Sequence, residues 1–323
     1  MILALIEHDR GEVNPASLEL LTFGRKLAGS MGTSLHALVI AGPKSLAEEA
    51  AAYGAEVVHM AAHEQLEDYA PEAWARTLTQ LMDAEKPEVV MAAGTDRGNE
   101  VLAHTAAMKD LPLATNCTEV RVGEAFEVTR VRWGGSLLED ARLLGEPRLL
   151  TLAPFSTAAE RLPDPPEPTL RSFAPTLSER DLRVRMKERL PIRTEGVSLT
   201  DAPVVVSGGR GVGSAEGFAV LEELAGLLGG AVGASRVATN NGWRPHADQV
   251  GQTGSKVAPE LYIACGISGA IQHWVGCKNS KHILVINTDP EAPIVAKADY
   301  AVIGDLHEVL PAVCAEIRRR RGT

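Results

Sequence analysis

Short apolar runs recur along the first half of the chain, with segments of helical periodicity between them. Ile2–Ile6, Leu35–Ile40, residues 57–60 and Val89–Ala93 read as strands. Between them Leu18, Leu21, Phe23 and Leu27, and then Trp74, Leu78, Leu81 and Met82, recur at helical spacing. Such alternation of strand and helix predicts a parallel sheet. From about residue 113 to 151 the pattern changes to shorter segments rich in Val, Arg and Thr, which predicts additional antiparallel strands.

Residues 154–203 break both periods. They hold Pro163, Pro165, Pro166, Pro168, Pro175 and Pro191 among many charges, and read as a bridge between domains. Within the bridge Leu182, Val184 and Met186 alternate with Arg183, Arg185 and Lys187, which predicts one edge strand returning to the first sheet. Alternation of strand and helix then restarts. Residues 204–206 read as a strand, 208–213 as a glycine loop, and Phe218, Leu221, Ala225 and Leu228 as one face of a helix, with further strands at 261–264, 283–286 and 301–303. The predicted class is α/β with two doubly wound domains, 1–200 carrying the extra strands and the Pro-rich bridge, and 201–323 built on a parallel sheet. Loops at the carboxyl ends of such strands are where open α/β sheets bind nucleotides.

Composition narrows the field of partners. Apolar residues make up 45% of the chain and charged residues 23%, so a substantial core forms and wholesale disorder is excluded. Lys and Arg total 32 against 42 Asp and Glu, a net charge of -10 that repels phosphate backbones and anionic lipid, so nucleic acid is not an expected partner. The four cysteines, Cys117, Cys265, Cys277 and Cys314, lack CxxC pairing and nearby His spacing, so free thiols are expected and no metal site is indicated. Glu7, His8, Asp9 and Arg10 interrupt the apolar start, and no stretch approaches the ~20 apolar residues of a membrane span. A cytoplasmic protein without membrane insertion is expected.

Three segments of the second half carry chemistry. Val204-Val-Val-Ser-Gly-Gly-Arg-Gly-Val-Gly213 is a strand entering a flexible loop with one fixed positive charge, Arg210, suited to a phosphate. It lacks the Gly-Lys-Ser/Thr ending of a P-loop, and taken alone it is also an ordinary turn. Leu261-Tyr-Ile-Ala-Cys-Gly-Ile-Ser-Gly-Ala-Ile-Gln-His273 is strand, small-residue turn and helix start, where amides and the Ser268 hydroxyl suit a pyrophosphate. It matches neither GxGxxG nor the GxSxG elbow, since Ala270 stands at the last glycine. His273 alone reads equally as an ordinary helix histidine. Gly233-Ala-Ser-Arg236 and Asp248-Gln-Val-Gly-Gln-Thr-Gly254 gather amides, hydroxyls and one Arg, and alone read as a turn and a solvated loop.

In order along the chain, these segments resemble the FAD-binding domain of the electron transfer flavoprotein alpha subunit family. The resemblance rests on Pro259-Glu-Leu-Tyr-Ile-Ala264 and Gly266-Ile-Ser-Gly-Ala-Ile-Gln-His273, and continues through Val285-Ile-Asn-Thr-Asp-Pro-Glu-Ala-Pro293, Ala298-Asp-Tyr300 and Gly304-Asp-Leu306. It is strong from about residue 203 onward and weak before it, where Ala92-Ala-Gly94 and the strand pattern carry it. It implies FAD contacts from Arg210, Ser235, Arg236, Gln249, Val250, Gly251, Gln252, Thr253, Gly254, Ser268, Gly269, Ala270, Ile271, Gln272, His273, Asn287, Asp305 and Leu306. By the same resemblance the isoalloxazine ring lies near Arg236, Thr253 and His273, the pyrophosphate near Ser235 and Ser268, and the adenosine end near Asn287 and Asp305. Cys265 and the stretch Asn240-Asn-Gly-Trp243 depart from the family pattern without removing a contact side chain.

The resemblance implies an electron carrier rather than an enzyme with catalytic residues. Its FAD would take single electrons from flavin dehydrogenases, acyl-CoA dehydrogenases in fatty acid beta-oxidation being the usual donors, and pass them to a quinone oxidoreductase at the membrane or another acceptor. It also implies a heterodimer, with AMP bound in a separate beta subunit and the N-terminal domain of this chain supplying the contact surface. The alternatives are an electron-bifurcating flavoprotein with a further FAD in the beta chain, an NAD-dependent enzyme using His273 or Cys265, and a binding subunit without redox activity. The four arginines Arg318 to Arg321 suit a cationic helix end as well as a docking patch.

Overall fold

The structure, a computed structural model, describes residues 1–186 and 197–322. They fall into two units, one built on a nine-stranded sheet from the chain up to residue 186, the other on a five-stranded sheet from residue 197 onward. Among the described residues no helix is long and apolar enough to cross a membrane.

The first unit opens with β1 (Ile2–Ile6), a small ribbon of β2 (His8–Asp9) and β3 (Glu12–Val13), and α1 (Pro15–Met31). Local signals bound that helix: the Asn14 side chain accepts the Ala16 N–H, Pro15 needs no donor at the first turn, and Gly32 ends it at φ 63. There follow β4 (Leu35–Ile40), α2 (Ser45–Ala52), β5 (Val57–Ala61), α3 (Pro71–Glu85), β6 (Val89–Ala93) and α4 (Asp96–Lys109). β7 (Leu113–Arg121), β8 (Phe126–Arg132), β9 (Leu137–Leu143), β10 (Arg148–Leu152) and β11 (Thr169–Phe173) complete the sheet in the order β11-β5-β4-β1-β6-β10-β7-β8-β9. Each face of the central strands carries its own apolar cluster, one with Ile2, Ala4 and Ile6, the other with Leu3, Leu5 and Leu38, so these strands are apolar without alternation.

Two expectations for this unit need correction. β8 pairs antiparallel with both β7 and β9, but β10 pairs parallel with β6 and β7, so the segment 113–151 ends by rejoining the parallel core. The returning edge strand is Thr169–Phe173, parallel to β5, and not the alternating stretch at 182–186. There Ser178 and Asp181 form a capping box, Asp181 takes an ion pair from Arg76 at 3.1 Å, and residues 179–182 wind into a 3-10 turn that seats Leu182 on the core. Lys187 of the expected strand lies outside the described residues.

The second unit holds β12 (Val204–Gly208), α5 (Ala219–Leu228), β13 (Ala231–Ala234), α6 (Arg236–Asn240), β14 (Leu261–Cys265), α7 (Ile271–Cys277), β15 (His282–Asn287), β16 (Tyr300–Ile303) and α8 (Leu306–Arg321). All pairings are parallel, in the order β13-β12-β14-β15-β16. Numbered within this sheet the order is 2-1-3-4-5, which reverses direction between β12 and β14 and opens a crevice at their carboxyl ends. One apolar layer, with Val206, Phe218, Leu221 and Leu310, covers one face, and Val205, Tyr262, Ala264 and Val285 the other. β13 corrects the reading of Gly233 to Arg236 as a turn: Gly233 and Ala234 are in a strand, Ser235 caps α6, and Arg236 begins it.

Candidate functional site

A cavity of about 720 Å³ occupies the crevice between β12 and β14, within the range of pockets that hold small organic ligands. Its floor is two loops that touch backbone to backbone. The Gly209 N–H donates to Cys265 O at 2.9 Å and the Gly211 N–H to Gly266 O at 3.0 Å. A Cβ on Gly209 would lie 2.3 Å from Gly266 O, so a side chain there would force the loops apart. The glycines of the 208–213 loop thus let the strands converge as well as leave amides bare.

Two cations border this cavity. Arg210 follows β12 and Arg236 opens α6, both side chains exposed, and neither makes a hydrogen bond or ion pair with another described residue. Most arginines of this acidic chain are paired, among them Arg244 with Glu222 and Asp248 and Arg319 with Glu316. Two free guanidinium groups at one cavity suit an anion, which each can meet with two parallel N–H donors. Polar groups complete the wall. Ser235 is the N-cap of α6, and Asn240, one turn beyond Arg236, lies on the same helical face. Across the crevice, the Asn287 amide donates to Ile267 O at 2.9 Å and its oxygen accepts the Asp289 N–H at 3.0 Å, so this side chain ties the loops after β14 and β15 together. Asp305 caps α8 by accepting the His307 N–H at 2.8 Å.

Of the residues singled out in the sequence, Arg210, Ser235, Arg236, Ser268, Ala270, Gln272, His273, Asn287, Asp305 and Leu306 line the cavity. Gln249, Val250, Gly251, Gln252, Thr253 and Gly254 do not, nor do Gly269 and Ile271. The 249–254 segment is instead a tight loop packed beside α7. The Gln249 amide, almost wholly buried, accepts from Thr239 at 2.7 Å and donates to Thr253 at 2.9 Å, while Gln252 N–H donates to Gln272 O at 2.7 Å. The sequence reading passed over Asn240, Asp289 and His307 as lining residues. Asn240 had a signal in its spacing from Arg236, but only once α6 is known.

His273 lines the cavity yet is 7% exposed. Its Nε2 lies 2.8 Å from the hydroxyl of Tyr262, a residue of β14 with no exposure, and its Nδ1 is buried without a hydrogen-bond partner. Burial pushes the imidazole down to about 4, against a smaller opposing effect of the Val250 backbone, so the ring is neutral at pH 7. A buried polar atom left unpaired costs roughly 1–3 kcal/mol, and one on a cavity wall is relieved when a ligand supplies the missing group. The residues therefore fit a ligand that combines an anionic part with hydrogen-bonding groups. They do not fit thiol chemistry: Cys265 has no exposure and burial pushes its thiol up to about 12, leaving no thiolate at neutral pH.

A second cluster lies in the first unit, where His36, His59 and Glu85 bring ligand-type atoms within 4.8 Å of one another. His36 Nδ1 and His59 Nε2 are 3.1 Å apart, and Glu85 is ion-paired with Arg171 at 3.0 Å. Burial, chiefly, with Arg171 contributing, holds both imidazoles below their ordinary value. A metal ion would have to displace or tolerate that guanidinium, so the cluster reads as a polar plug at the end of β4 and β5.

Comparison with known proteins agrees with this geometry. Residues 2–176 match the family model of the electron transfer flavoprotein domain, and residues 198–278 that of the electron transfer flavoprotein FAD-binding domain. The chain is 35% identical over 317 residues to the electron transfer flavoprotein subunit alpha of Thermoanaerobacterium thermosaccharolyticum, covering 97% of this chain and 96% of the relative. It is 36% identical over 319 residues to the corresponding subunit of Bacillus subtilis, with 98% and 97% covered, and 37% identical over 328 residues to Protein FixB of Azotobacter vinelandii, with 98% and 91% covered. The chain belongs to the electron transfer flavoprotein alpha subunit family. Membership supports an electron-transfer role and a flavin-related cofactor.

Proposed function

We propose that this chain is the alpha subunit of a cytoplasmic heterodimer that holds one FAD in the cavity between β12 and β14 and shuttles single electrons. The observation that carries the reading is the pair of unpartnered guanidinium groups, Arg210 and Arg236, on a pocket-sized crevice at the reversal point of the second sheet. A bound flavin supplies the one-electron chemistry; the chain binds it and sets its potential. Arg210, Ser235 and Ser268 hold the pyrophosphate, Asn287 and Asp305 the adenosine end, and Arg236 lies beside the ring. His273, neutral in its buried seat, donates a hydrogen bond toward the pyrimidine edge, where negative charge collects on reduction. Because both ring nitrogens are shut from solvent here, that contact requires the ligand or the imidazole to move a short way.

The donors are flavin dehydrogenases, acyl-CoA dehydrogenases first among them, the acceptor is a quinone oxidoreductase, and AMP sits in the beta subunit. Co-expression with the beta subunit and quantitation of released nucleotides tests the reading. One FAD and one AMP per heterodimer, with the bound flavin reducible by an acyl-CoA dehydrogenase and its substrate, is the expected result. Two FAD per heterodimer would point to bifurcation, and a colourless complex that takes up no added FAD would overturn the proposal. His273→Ala lowers the first reduction potential of the bound flavin, and Arg236→Ala lowers it further; potentiometric titrations that overlay the unsubstituted protein would remove these roles.

A further inference from the structure

The Tyr262 hydroxyl and the His273 imidazole face each other across 2.8 Å in the core of the second unit. One proton occupies that line, and donor accounting decides whose it is. Burial pushes the Tyr262 phenol well above its ordinary value, so it keeps its proton and needs an acceptor. The nearby Ser207 hydroxyl is also wholly buried but makes no hydrogen bond, so it does not take the phenolic proton. Among the described residues the acceptor left is the lone pair of His273 Nε2. A neutral imidazole whose Nε2 accepts carries its proton on Nδ1.

We propose that Tyr262 is a positioning residue that locks His273 in the Nδ1–H tautomer and so fixes which edge of the ring is a donor toward the cavity ligand. Nδ1 is the nitrogen without a partner, on a ring that lines the cavity. A histidine kept only for packing has no need of a dry, unmatched N–H, whereas a donor held ready for a ligand has that need. Without the phenol the ring would be free to carry its proton on either nitrogen, and the donor would be present part of the time. The potential arm of the test rests on the flavin reading above; the tautomer arm does not.

The experiment uses the complete complex with its beta subunit, labelled with ring-15N histidine, with and without FAD. Long-range 15N–1H correlation in the unsubstituted protein should show His273 Nδ1 protonated and Nε2 bare, with Tyr262→Phe shifting both toward the exchange-averaged position. A protonated Nε2 in the unsubstituted protein overturns the proposal, and this readout stands even where Tyr262→Phe fails to fold. In the loaded complex Tyr262→Phe should keep its FAD stoichiometry while its first reduction potential falls by about 59 mV, a tenfold change for a one-electron couple. His273→Asn, whose amide nitrogen overlays Nδ1, should keep more of the potential than His273→Gln, whose nitrogen overlays Nε2. Equal potentials for Tyr262→Phe and the unsubstituted protein, or the reverse order of Asn and Gln, sink the idea. Failure of the unsubstituted complex to bind any FAD sinks the flavin reading instead, and the tautomer is still measured on the flavin-free complex.

Discussion

Gly211 and Gly266 meet so closely that a Cβ on either would lie 2.7 Å from the Cα of the other. Gly266 also sits at φ 60, where a side chain is strained even in open space. The loops that form the cavity floor therefore depend on both positions lacking a Cβ. Gly266→Ala should lower stability by about 1–3 kcal/mol and cut FAD content more than tenfold. Gly226, exposed in α5 with nothing within 4 Å of its would-be Cβ, is the matched control. Gly226→Ala should leave FAD content unchanged and add roughly 0.5–1 kcal/mol in urea unfolding. Loss of flavin from both variants alike would mean that the glycine contact is not what shapes the cavity.

Arg210 is held by no carboxylate, so whatever anion it meets gains its full strength. Losing one charge-assisted, two-pronged contact of about 1.5–3 kcal/mol should weaken FAD binding roughly ten- to a hundredfold in Arg210→Ala. Arg210→Lys keeps the charge but not the planar fork, and its affinity should fall between the two. Titration of flavin-free complex, followed by quenching of flavin fluorescence, measures all three. An Ala variant that binds as tightly as the unsubstituted protein would take Arg210 off the phosphate.

How far the fold could be read from the residues depends on where burial leaves a trace. The strands at Leu35–Ile40 and Val89–Ala93 are buried on both faces and announce themselves as unbroken apolar runs. β13 does not, because Ala231, Val232, Gly233 and Ala234 include three small residues. They have to be small: a Cβ on Gly233 would press on Val250 and Ser207. β11 was hidden for the opposite reason, since four of its five residues are exposed and its place is fixed by the free edge of β5 rather than by its own pattern. The cavity was legible where motifs end strands, as at Arg210, Ser268 and Asn287. Whether a motif residue faces the cavity or braces a neighbour was not, and Gln249, hydrogen-bonded to Thr239 and Thr253, braces.

All four cysteines are buried and unpaired as disulfides. Burial pushes the thiols of Cys117, Cys265 and Cys277 up to about 12 and that of Cys314 to about 11. Thiolate is therefore absent at pH 8, and a thiol reagent cannot reach sulfur without unfolding. Reaction with a chromogenic disulfide should report no fast thiol in the native protein and four after guanidinium is added. A single fast thiol that is lost in Cys265→Ala would reopen thiol chemistry at the cavity.

Glu19 gives the first unit a pH dependence whose sign is fixed by its surroundings. Burial pushes its carboxyl up to about 7, against the pull of the Phe155 N–H, which donates to it at 2.7 Å. Between about pH 4.5 and 7 the folded chain keeps a proton there that the unfolded chain has released, so the folded state binds more protons and stability falls as pH rises. Glutamine keeps the acceptor for Phe155 and carries no charge to bury. Glu19→Gln should match the unsubstituted protein near pH 5 and exceed it at pH 8 by roughly 1–2 kcal/mol in urea unfolding. The gain has to appear as the pH crosses 7, because only there does the glutamate become charged in its dry seat. A constant difference across that range would mean that the substitution acts through packing and not through the proton.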